Sequence, residues 1–244
     1  MVMAGYTLIT GAASDIGRQI CATLEASGHP LLLTDLDERS LLETKGNLRH
    51  PDMHLTFPLD LSEVEQAELR LTQYINNNKI QITNAVFAAG LFAVKPLKLL
   101  NYEFIKKNFD IALFSTISIT KVLTSKRINA DNLRGVVFLS SVSAILGTKG
   151  YSTYGAVKAG MLGLMKALAT ELAPRVRVNA IMPGGIRTRT TNFIYESQGA
   201  PNPRYLLGEG QKSDIADMAD FLLSDKSRWI TGQAFIVDGG LSVN

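Results

Sequence analysis

The chain has 244 residues, of which 46% are hydrophobic and 19% charged, enough apolar material for a core within the usual length of one α/β domain. The net charge is only +3, and no Lys/Arg block interleaves with aromatic residues, which argues against nucleic-acid binding. The longest apolar runs, such as 135–139, are strand-sized and far shorter than a membrane span. We therefore expect neither a nucleic-acid nor a membrane partner.

Cysteine and histidine usage narrows the chemistry further. Cys21 is the single cysteine, so an internal disulfide is excluded and a reducing compartment is favoured. Residues 1–8 lack a charged segment followed by an apolar core, and we expect no secretion signal and a cytoplasmic protein. His29, His50 and His54 have no Cys or carboxylate partner at ligand spacing, so no metal site is predicted.

Short β-rich runs alternate with longer helical patterns along nearly the whole chain. The predicted strands are 6–10, 30–34, 54–58, 85–88, 135–139, 176–180 and 234–237. The predicted helices are 16–27, 37–48, 62–76, 102–121, one that carries Tyr154 and ends near 172, and 214–223. The strands are continuously apolar, which indicates a sheet covered on both faces. The alternation predicts a single domain over 1–244, with a doubly wound parallel sheet.

The segment 190–210 interrupts this alternation. It contains Gly, Pro, Tyr, Phe and Arg residues without a clear period. Long irregular segments in compact domains are commonly functional. We predict a substrate-covering lid here, with a passive loop as the alternative.

The first predicted strand leads into a small-residue turn, Thr10-Gly11-Ala12-Ala13-Ser14-Asp15-Ile16-Gly17, directly before a helix. Small residues let the backbone approach a pyrophosphate, which free N–H groups at a helix start can bind. Such turns can also be simple tight connections. Placement between the first strand and the first helix is the context that a dinucleotide site requires.

Two acidic residues end the next two predicted strands. Asp35 can accept hydrogen bonds from the adenosine ribose hydroxyls and would repel a 2′-phosphate. Arg18 is the only Arg or Lys between Thr10 and Leu36, so NAD(H) is predicted over NADP(H). Asp60 can similarly bind the adenine amino group. Its alternative role is to cap the following helix, although Ser62 suits that role better.

Tyr154 and Lys158 are four residues apart in a helix-favouring run, which places them on one helix face. A nearby cation favours phenolate and is expected to lower the pKa of Tyr154 towards neutrality. The same spacing occurs by chance in surface pairs, so its meaning depends on the other motifs.

Together, the motifs resemble the short-chain dehydrogenase/reductase family over essentially the full length of the chain. The resemblance implies a Rossmann fold of about seven parallel strands with helices on both faces, a nicotinamide cofactor, and a homotetramer or homodimer. The matching segments follow the family order: 10–17, Asp35, Asp60, 88–90, Ser140-Ser141, 154–158, 177–181, Pro183-Gly184, 229–233 and 237–240.

The resemblance also implies roles for individual residues. Tyr154 would be the general acid/base, Lys158 would bind the nicotinamide ribose and lower the Tyr154 pKa, and Ser141 would hydrogen-bond the substrate oxygen. Two hydroxyl donors at that oxygen would stabilise the charge that develops there during reduction. The residues expected to bind cofactor are Thr10, Gly11, Ser14, Asp15, Ile16, Gly17, Asp35, Leu36, Asp60, Leu61, Ala88, Ala89, Gly90, Tyr154, Lys158, Pro183, Gly184, Ile186 and Thr188.

Three positions depart from the family pattern. Asp15 replaces the middle glycine of the cofactor turn, and we expect its side chain to point away from the phosphates, with weakened affinity that Asp15→Gly would raise. Ala88 replaces an Asn that would bridge neighbouring strands. Ala112 stands where a catalytic Asn is common, and Asn108, one turn earlier, is a possible substitute.

The predicted function is an NAD(P)-dependent oxidoreductase that interconverts a secondary alcohol and a ketone, with a small-molecule carbonyl or alcohol substrate. One alternative is a weakly active or inactive cofactor-binding sensor or scaffold, which the Asp15 and Ala112 departures favour. Another is a 3-oxoacyl-carrier-protein-type reductase, which the Asp35 position disfavours because those enzymes usually prefer NADPH.

Overall fold

A computed structural model describes residues 5–192 and 204–243. Seven parallel strands form one sheet in the order β3-β2-β1-β4-β5-β6-β7, which confirms the predicted Rossmann topology. The strands are β1 Tyr6–Thr10, β2 Leu31–Asp35, β3 Leu55–Pro58, β4 Ile82–Phe87, β5 Gly135–Leu139, β6 Arg177–Pro183 and β7 Ala234–Val237.

Helices cover both faces of the sheet. The described α-helices are α1 Asp15–Ala26, α2 Glu38–Gly46, α3 Val64–Asn78, α4 Tyr102–Phe109, α5 Ser115–Thr124, α6 Lys126–Asn129, α7 Ser152–Glu171 and α8 Lys212–Leu223. Successive strand residues point to opposite faces, so that Leu8 belongs to one core and Ile9 to the other. Helices α3, α5 and α7 pack on the first core, and α1, α2 and α8 on the second.

Local capping explains where several helices begin. The Ser14 side chain caps α1, Asp37 caps α2 by accepting from the Ser40 N–H, and Asn101 caps α4. The capping predicted for α3 is wrong. Ser62 donates its N–H and hydroxyl to the Asp60 carboxylate, and α3 begins two residues later without a side-chain cap.

The single helix predicted over 102–121 is divided by a π-helical turn, Asp110–Phe114. Within it the Ser115 N–H bonds to the Asp110 carbonyl, one residue beyond the α-helical partner. The helical periodicity of 102–121 does not indicate this one-residue insertion. The turn lies between α4 and α5 and contacts α7.

The order of the strands positions the site. From β1 the chain proceeds outward to β2 and β3, then returns to β4 on the opposite side of β1. Ligands of open α/β sheets bind at the carboxyl ends of the strands where the order reverses in this way. The turns after β1 and β4 meet at that point, where the Ala88 N–H donates to the Thr10 carbonyl.

The predicted lid at 190–210 lies for its greater part, 193–203, outside the described residues. In the parts of the chain that the structure covers, no helix is long and apolar enough to cross a membrane.

Candidate active site

The turn after β1 is fixed by contacts that leave no room for larger residues. Gly11 has φ +71°, and a Cβ on it would stand 2.8 Å from the Ala89 nitrogen. The buried Thr10 hydroxyl accepts from the Ala89 N–H at 3.2 Å. Thr10, Gly11 and Ala89 therefore join the turns after β1 and β4 rather than line the cavity between them.

The start of α1 offers backbone donors to an anion. Ser14 Oγ accepts from the Gly17 N–H at 3.0 Å and donates to the Gly11 carbonyl at 2.8 Å. The other N–H groups of a first helical turn have no intrahelical acceptor. The free donors, the glycine turn and the cavity beside them fit the diphosphate of a dinucleotide.

Asp15, at the first position of α1, is bonded to a residue from the other side of the cleft. Its carboxylate accepts the Arg189 N–H at 2.6 Å and Arg189 Nε at 2.8 Å. Burial alone would raise the pKa of Asp15, but these bonds and the charges of Arg189 and Lys212 hold it below its ordinary value. The carboxylate is therefore ionised and paired.

The two predicted adenosine-binding carboxylates lie at the carboxyl ends of β2 and β3. Asp35 accepts from the Ala13 N–H at 3.0 Å and from the Leu36 N–H at 2.7 Å, which fixes it beside the cofactor turn. Leu36 is exposed, as a residue placed to cover an adenine would be, whereas Leu61 is buried in the core.

The three predicted catalytic side chains converge from two elements. Ser141 follows β5, and Tyr154 and Lys158 lie on α7, which approaches closely because a Cβ on Gly155 would stand 2.9 Å from the Ser143 carbonyl oxygen. The Ser140 hydroxyl donates to the Lys158 carbonyl at 2.8 Å and ties the end of β5 to α7. All three predicted catalytic side chains line one cavity.

Lys158 is buried, and its ammonium group donates to the Leu139 carbonyl at 2.6 Å. It lies 5.7 Å from the centroid of the Tyr154 ring. Burial lowers the pKa of Lys158 to about 8. At pH 7 the amine is therefore still mostly protonated, but its pKa is much closer to neutral than that of a free lysine.

The prediction that the Tyr154 pKa is lowered is wrong for this structure. Burial raises the pKa of Tyr154 to about 12, and its hydrogen bond with Ser141 opposes that shift without cancelling it. The physical reason is that the Lys158 ammonium is directed at the Leu139 carbonyl instead of the phenol. Free Tyr154 is accordingly a proton donor.

Aromatic side chains surround Tyr154. The Phe92 ring is 5.3 Å from the Tyr154 ring at an interplanar angle of 88°, and 5.5 Å from the Tyr151 ring at 78°. Tyr151 and Tyr154 are themselves edge to face at 6.0 Å. Such contacts fix ring orientation, so this cluster orients the phenol.

The segment after β6 forms the opposite wall. The Gly185 N–H donates to the Tyr205 hydroxyl at 3.0 Å. Thr188 and Thr191 exchange hydrogen bonds between each hydroxyl and the other's N–H, and Thr191 also donates to the Ile186 carbonyl at 2.8 Å. These bonds make 186–191 a compact turn facing α1.

The cavity has a volume of about 540 Å³. Of the predicted site residues, it is lined by Ser14, Asp15, Ile16, Ala88, Gly90, Ser141, Tyr154, Lys158, Pro183, Gly184, Ile186 and Thr188. Thr10, Gly11, Gly17 and Ala89 build the turns beneath it, and Asp35, Leu36, Asp60 and Leu61 lie at the ends of β2 and β3, off its lining.

Asn108 does not replace the catalytic Asn that is missing at position 112. Its buried amide donates to the Phe104 carbonyl at 2.8 Å, back onto its own helix. Ala112 lies in the π-helical turn, near Gly90 and Lys158, and its carbonyl accepts the Thr116 hydroxyl at 2.8 Å. No side-chain amide therefore reaches Lys158 from these two positions.

Sequence reasoning missed Phe92, Tyr151, Tyr205 and Arg189. Tyr151 could have been found, because it lies one helical turn before Tyr154. Arg189 could not, since 174 positions separate it from Asp15 and no pattern links them. Within 5–192 and 204–243, no group of three or more His, Cys, Asp or Glu side chains is placed to hold a metal ion.

The chain is similar to known oxidoreductases over nearly its whole length. A family model described as enoyl-(acyl carrier protein) reductase matches residues 11–242. The chain is 29% identical over 243 residues to the 3-oxoacyl-[acyl-carrier-protein] reductase of Thermotoga maritima, covering 97% of each chain.

Solved structures agree with that comparison. A short-chain dehydrogenase/reductase from Brucella melitensis, named as a glucose/ribitol dehydrogenase, superposes with a TM-score of 0.88 at 29% identity, covering 98% of this chain and 97% of that one. A 4-hydroxyisoleucine dehydrogenase complexed with NADH superposes with a TM-score of 0.89 at 26% identity, covering 98% and 99%.

Proposed function

Since the chain belongs to the short-chain dehydrogenase/reductase family of NAD(P)-dependent oxidoreductases acting on CH–OH groups, we propose that it interconverts a secondary alcohol and a ketone with Tyr154 as the general acid/base. The observation that carries the proposal is the convergence of Ser141, Tyr154 and Lys158 in one cavity beside the cofactor turn. A scaffold without activity would not need these groups together.

The roles follow from protonation and geometry. When bound, the nicotinamide supplies or accepts the hydride. Tyr154 holds a proton that it can deliver to the oxygen of a ketone, and Ser141 donates a second hydrogen bond to that oxygen. Lys158 would bind the nicotinamide ribose hydroxyls. Its positive charge beside the phenolate would then favour proton release in the alcohol-oxidising direction.

We propose NAD(H) as the preferred cofactor. Asp35 is held at the end of β2 by two backbone N–H groups, which direct a carboxylate at the position expected for the adenosine ribose. A 2′-phosphate there would meet a negative charge. The NADH complex of the similar 4-hydroxyisoleucine dehydrogenase is consistent with this preference.

The segment 190–210 is proposed as the substrate lid. Thr190 and Thr191 at its start, and Arg204 and Tyr205 in its last part, line the cavity. The described ends of the segment thus lie at the cavity, which supports the proposal.

The similarity to a 3-oxoacyl-[acyl-carrier-protein] reductase keeps an acyl substrate as the second candidate. A groove next to the cavity, walled by Leu97, Leu146 and Tyr151, favours it, because it would accommodate an acyl chain.

We also propose a cytoplasmic homotetramer or homodimer. Cys21 is buried and unbonded, and burial raises its pKa, so the thiol requires no oxidising compartment. Phe114, the last residue of the π-helical turn, and Ile117 of α5 are each 45% exposed and lie about one helical turn apart, and contiguous exposed apolar side chains are typical of protein–protein contacts. A second copy of this chain would cover them.

The experiment is a cofactor-linked assay of a panel of ketones, with NADH and NADPH in parallel. We expect oxidation of NADH by at least one ketone, and a loss of about 10²-fold or more in kcat for Tyr154→Phe with unchanged NADH affinity. The control is Tyr102→Phe, a phenol that is 72% exposed and outside the cavity lining.

Binding of NADH without turnover by either form would support the scaffold alternative. Preference for NADPH would contradict the role of Asp35. Turnover confined to acyl thioesters would select the second candidate.

A further inference from the structure

Asp15 places a carboxylate at the N-terminus of α1, where the proposed function requires an anionic diphosphate to bind. We propose that Arg189 is a positioning residue for the cofactor: it neutralises Asp15, turns that carboxylate away from the diphosphate, and thereby makes an acidic cofactor turn competent to bind a dinucleotide. This inference rests on the proposed function and adds a requirement specific to this chain.

The contact between Arg189 and the cofactor turn consists of several directed hydrogen bonds. Arg189 makes three hydrogen bonds to the cofactor turn: its N–H to Asp15 Oδ2 at 2.6 Å, its Nε to Asp15 Oδ1 at 2.8 Å, and its Nη2 to the Ala13 carbonyl at 3.2 Å. Both carboxylate oxygens are engaged. A carboxylate bound at both oxygens has a fixed orientation, unlike one in a single-contact surface pair.

Burial differs sharply between the two partners. The Asp15 side chain is 14% exposed and Arg189 is 70% exposed. Asp15 lines the cavity, whereas Arg189 approaches from outside it. The arginine therefore reaches the carboxylate without entering the space that a diphosphate would occupy.

Without Arg189, the Asp15 carboxylate would repel the diphosphate of the cofactor. The dipole of α1 favours a negative charge at this position, so Asp15 would remain ionised beside the diphosphate. Two negative charges close together in a partly buried site repel each other more strongly than they would in water. Lys212 also acts on Asp15 through its charge, but no hydrogen bond joins the two.

The pair also connects the two walls of the cleft. Arg189 lies within the compact turn built by Thr188 and Thr191, and both threonines line the cavity. Tying this turn to α1 sets the distance between the walls that would enclose the cofactor. The expected gain from Asp15→Gly presumed an unpaired charge, and the pair removes that premise.

The test measures NADH affinity by fluorescence titration at low salt, about 0.05 M, and at about 1 M salt, where charges are screened beyond roughly 3 Å. We expect Arg189→Ala to weaken affinity about tenfold at low salt, equivalent to about 1.4 kcal/mol, and by much less at high salt. Arg189→Lys keeps the positive charge, so its NADH affinity at low salt should fall by about threefold or less. A loss of that size is within the contribution that an exposed ion pair typically makes.

The decisive variant is the double substitution. In the Asp15→Asn background, Arg189→Ala is expected to change NADH affinity by less than about threefold relative to Asp15→Asn alone, because the repelling charge is gone. Lys212→Ala is the matched control, since it removes an equal charge that acts on Asp15 without a bond. It should change affinity by less than about twofold, the size of a solvent-screened effect.

Unchanged affinity in Arg189→Ala at low salt would overturn the inference. So would a loss that persists in the Asp15→Asn background or that salt does not reduce, because Arg189 would then act directly on the cofactor or on the fold. If Arg189→Ala does not fold, Arg189→Gln is measured against the same expectations. Failure of the parent protein to bind NADH or NADPH would instead defeat the proposed function itself.

Discussion

Lys158 is a buried side chain that carries a charge. Burying this ammonium lowers the free energy of unfolding by an amount that depends on pH. Its pKa is lowered to about 8 in the folded protein from 10.5. Between these two values the unfolded chain binds more protons than the folded one, so stability rises with pH across that window. Below about 8 the folded protein carries the full cost of a dehydrated ammonium.

We therefore predict that Lys158→Met stabilises the cofactor-free protein most at pH 7. Its advantage in the free energy of unfolding should shrink between pH 8 and 10.5 by up to about 3 kcal/mol, the equivalent of the pKa difference. Urea denaturation of both proteins at pH 7, 8.5 and 10 measures this. The raised pKa of Tyr154 affects both proteins and cancels in the comparison.

Lys166→Met provides the control, because Lys166 lies on the same helix but is exposed. Its difference from the parent should not vary with pH. A constant difference for Lys158→Met as well would show that dehydration of the ammonium is not what destabilises the site.

The sequence predicted which groups occupy the site better than it predicted their charge states. The spacing of Tyr154 and Lys158 was sufficient to place both on α7 and in one cavity. It could not reveal that the Leu139 carbonyl takes the Lys158 ammonium, because that partner lies on another element. The predicted direction of the Tyr154 pKa was wrong because burial raises that pKa and the ammonium is not directed at the phenol to offset the shift.

Strand β4 depends on a side chain from the short helix α6. Asn129 is buried, and its amide accepts from the Ile82 N–H at 2.8 Å and donates to the Ile82 carbonyl at 2.8 Å and the Leu123 carbonyl at 2.9 Å. It thus completes the first residue of β4 as a neighbouring strand would. This explains why β4 begins at Ile82, three residues before the predicted start.

Asn129→Asp preserves the shape but replaces the amide donors with a second acceptor. We expect a loss of about 3 kcal/mol in the free energy of unfolding at pH 7, from two lost hydrogen bonds and an unpaired buried charge. Since the introduced carboxyl can donate once protonated, part of the loss should be recovered as the pH falls. Urea denaturation at pH 7 and 5 tests both statements.

Asn78→Asp is the matched control, because Asn78 also donates to a main-chain carbonyl, that of Tyr74, but is exposed. It should cost less than about 1 kcal/mol. Equal losses at the two positions would mean that the Asn129 bonds contribute no more than surface contacts.

The fold as a whole was predictable because its signals are local and repeated. Continuous apolar strands and intervening helical patterns specify a parallel sheet with two covered faces, and both cores are found. The π-helical turn and the Asp15–Arg189 pair were not predictable. Both arise where one element is adjusted to another that is distant in sequence.

Assembly is the remaining property of the whole molecule that the structure bears on. Gly163 lies on the exposed side of α7, with no atom within 4 Å of the position where its Cβ would be. In an isolated subunit a larger residue would meet nothing there, and replacing a helical glycine with leucine stabilises a helix by about 0.8 kcal/mol.

If α7 packs against a second copy of the chain, the same leucine would separate the two helices. We therefore predict that Gly163→Leu lowers the mass measured by light scattering towards that of the monomer. Gly46→Leu, at the end of α2 and also in open space, should leave the mass unchanged. Equal masses for Gly163→Leu and the parent would exclude the exposed side of α7 from the interface. A monomeric parent would refute the proposed oligomer. In that case we expect Gly163→Leu only to raise the thermal stability of the protein, through the higher helix propensity of leucine in α7.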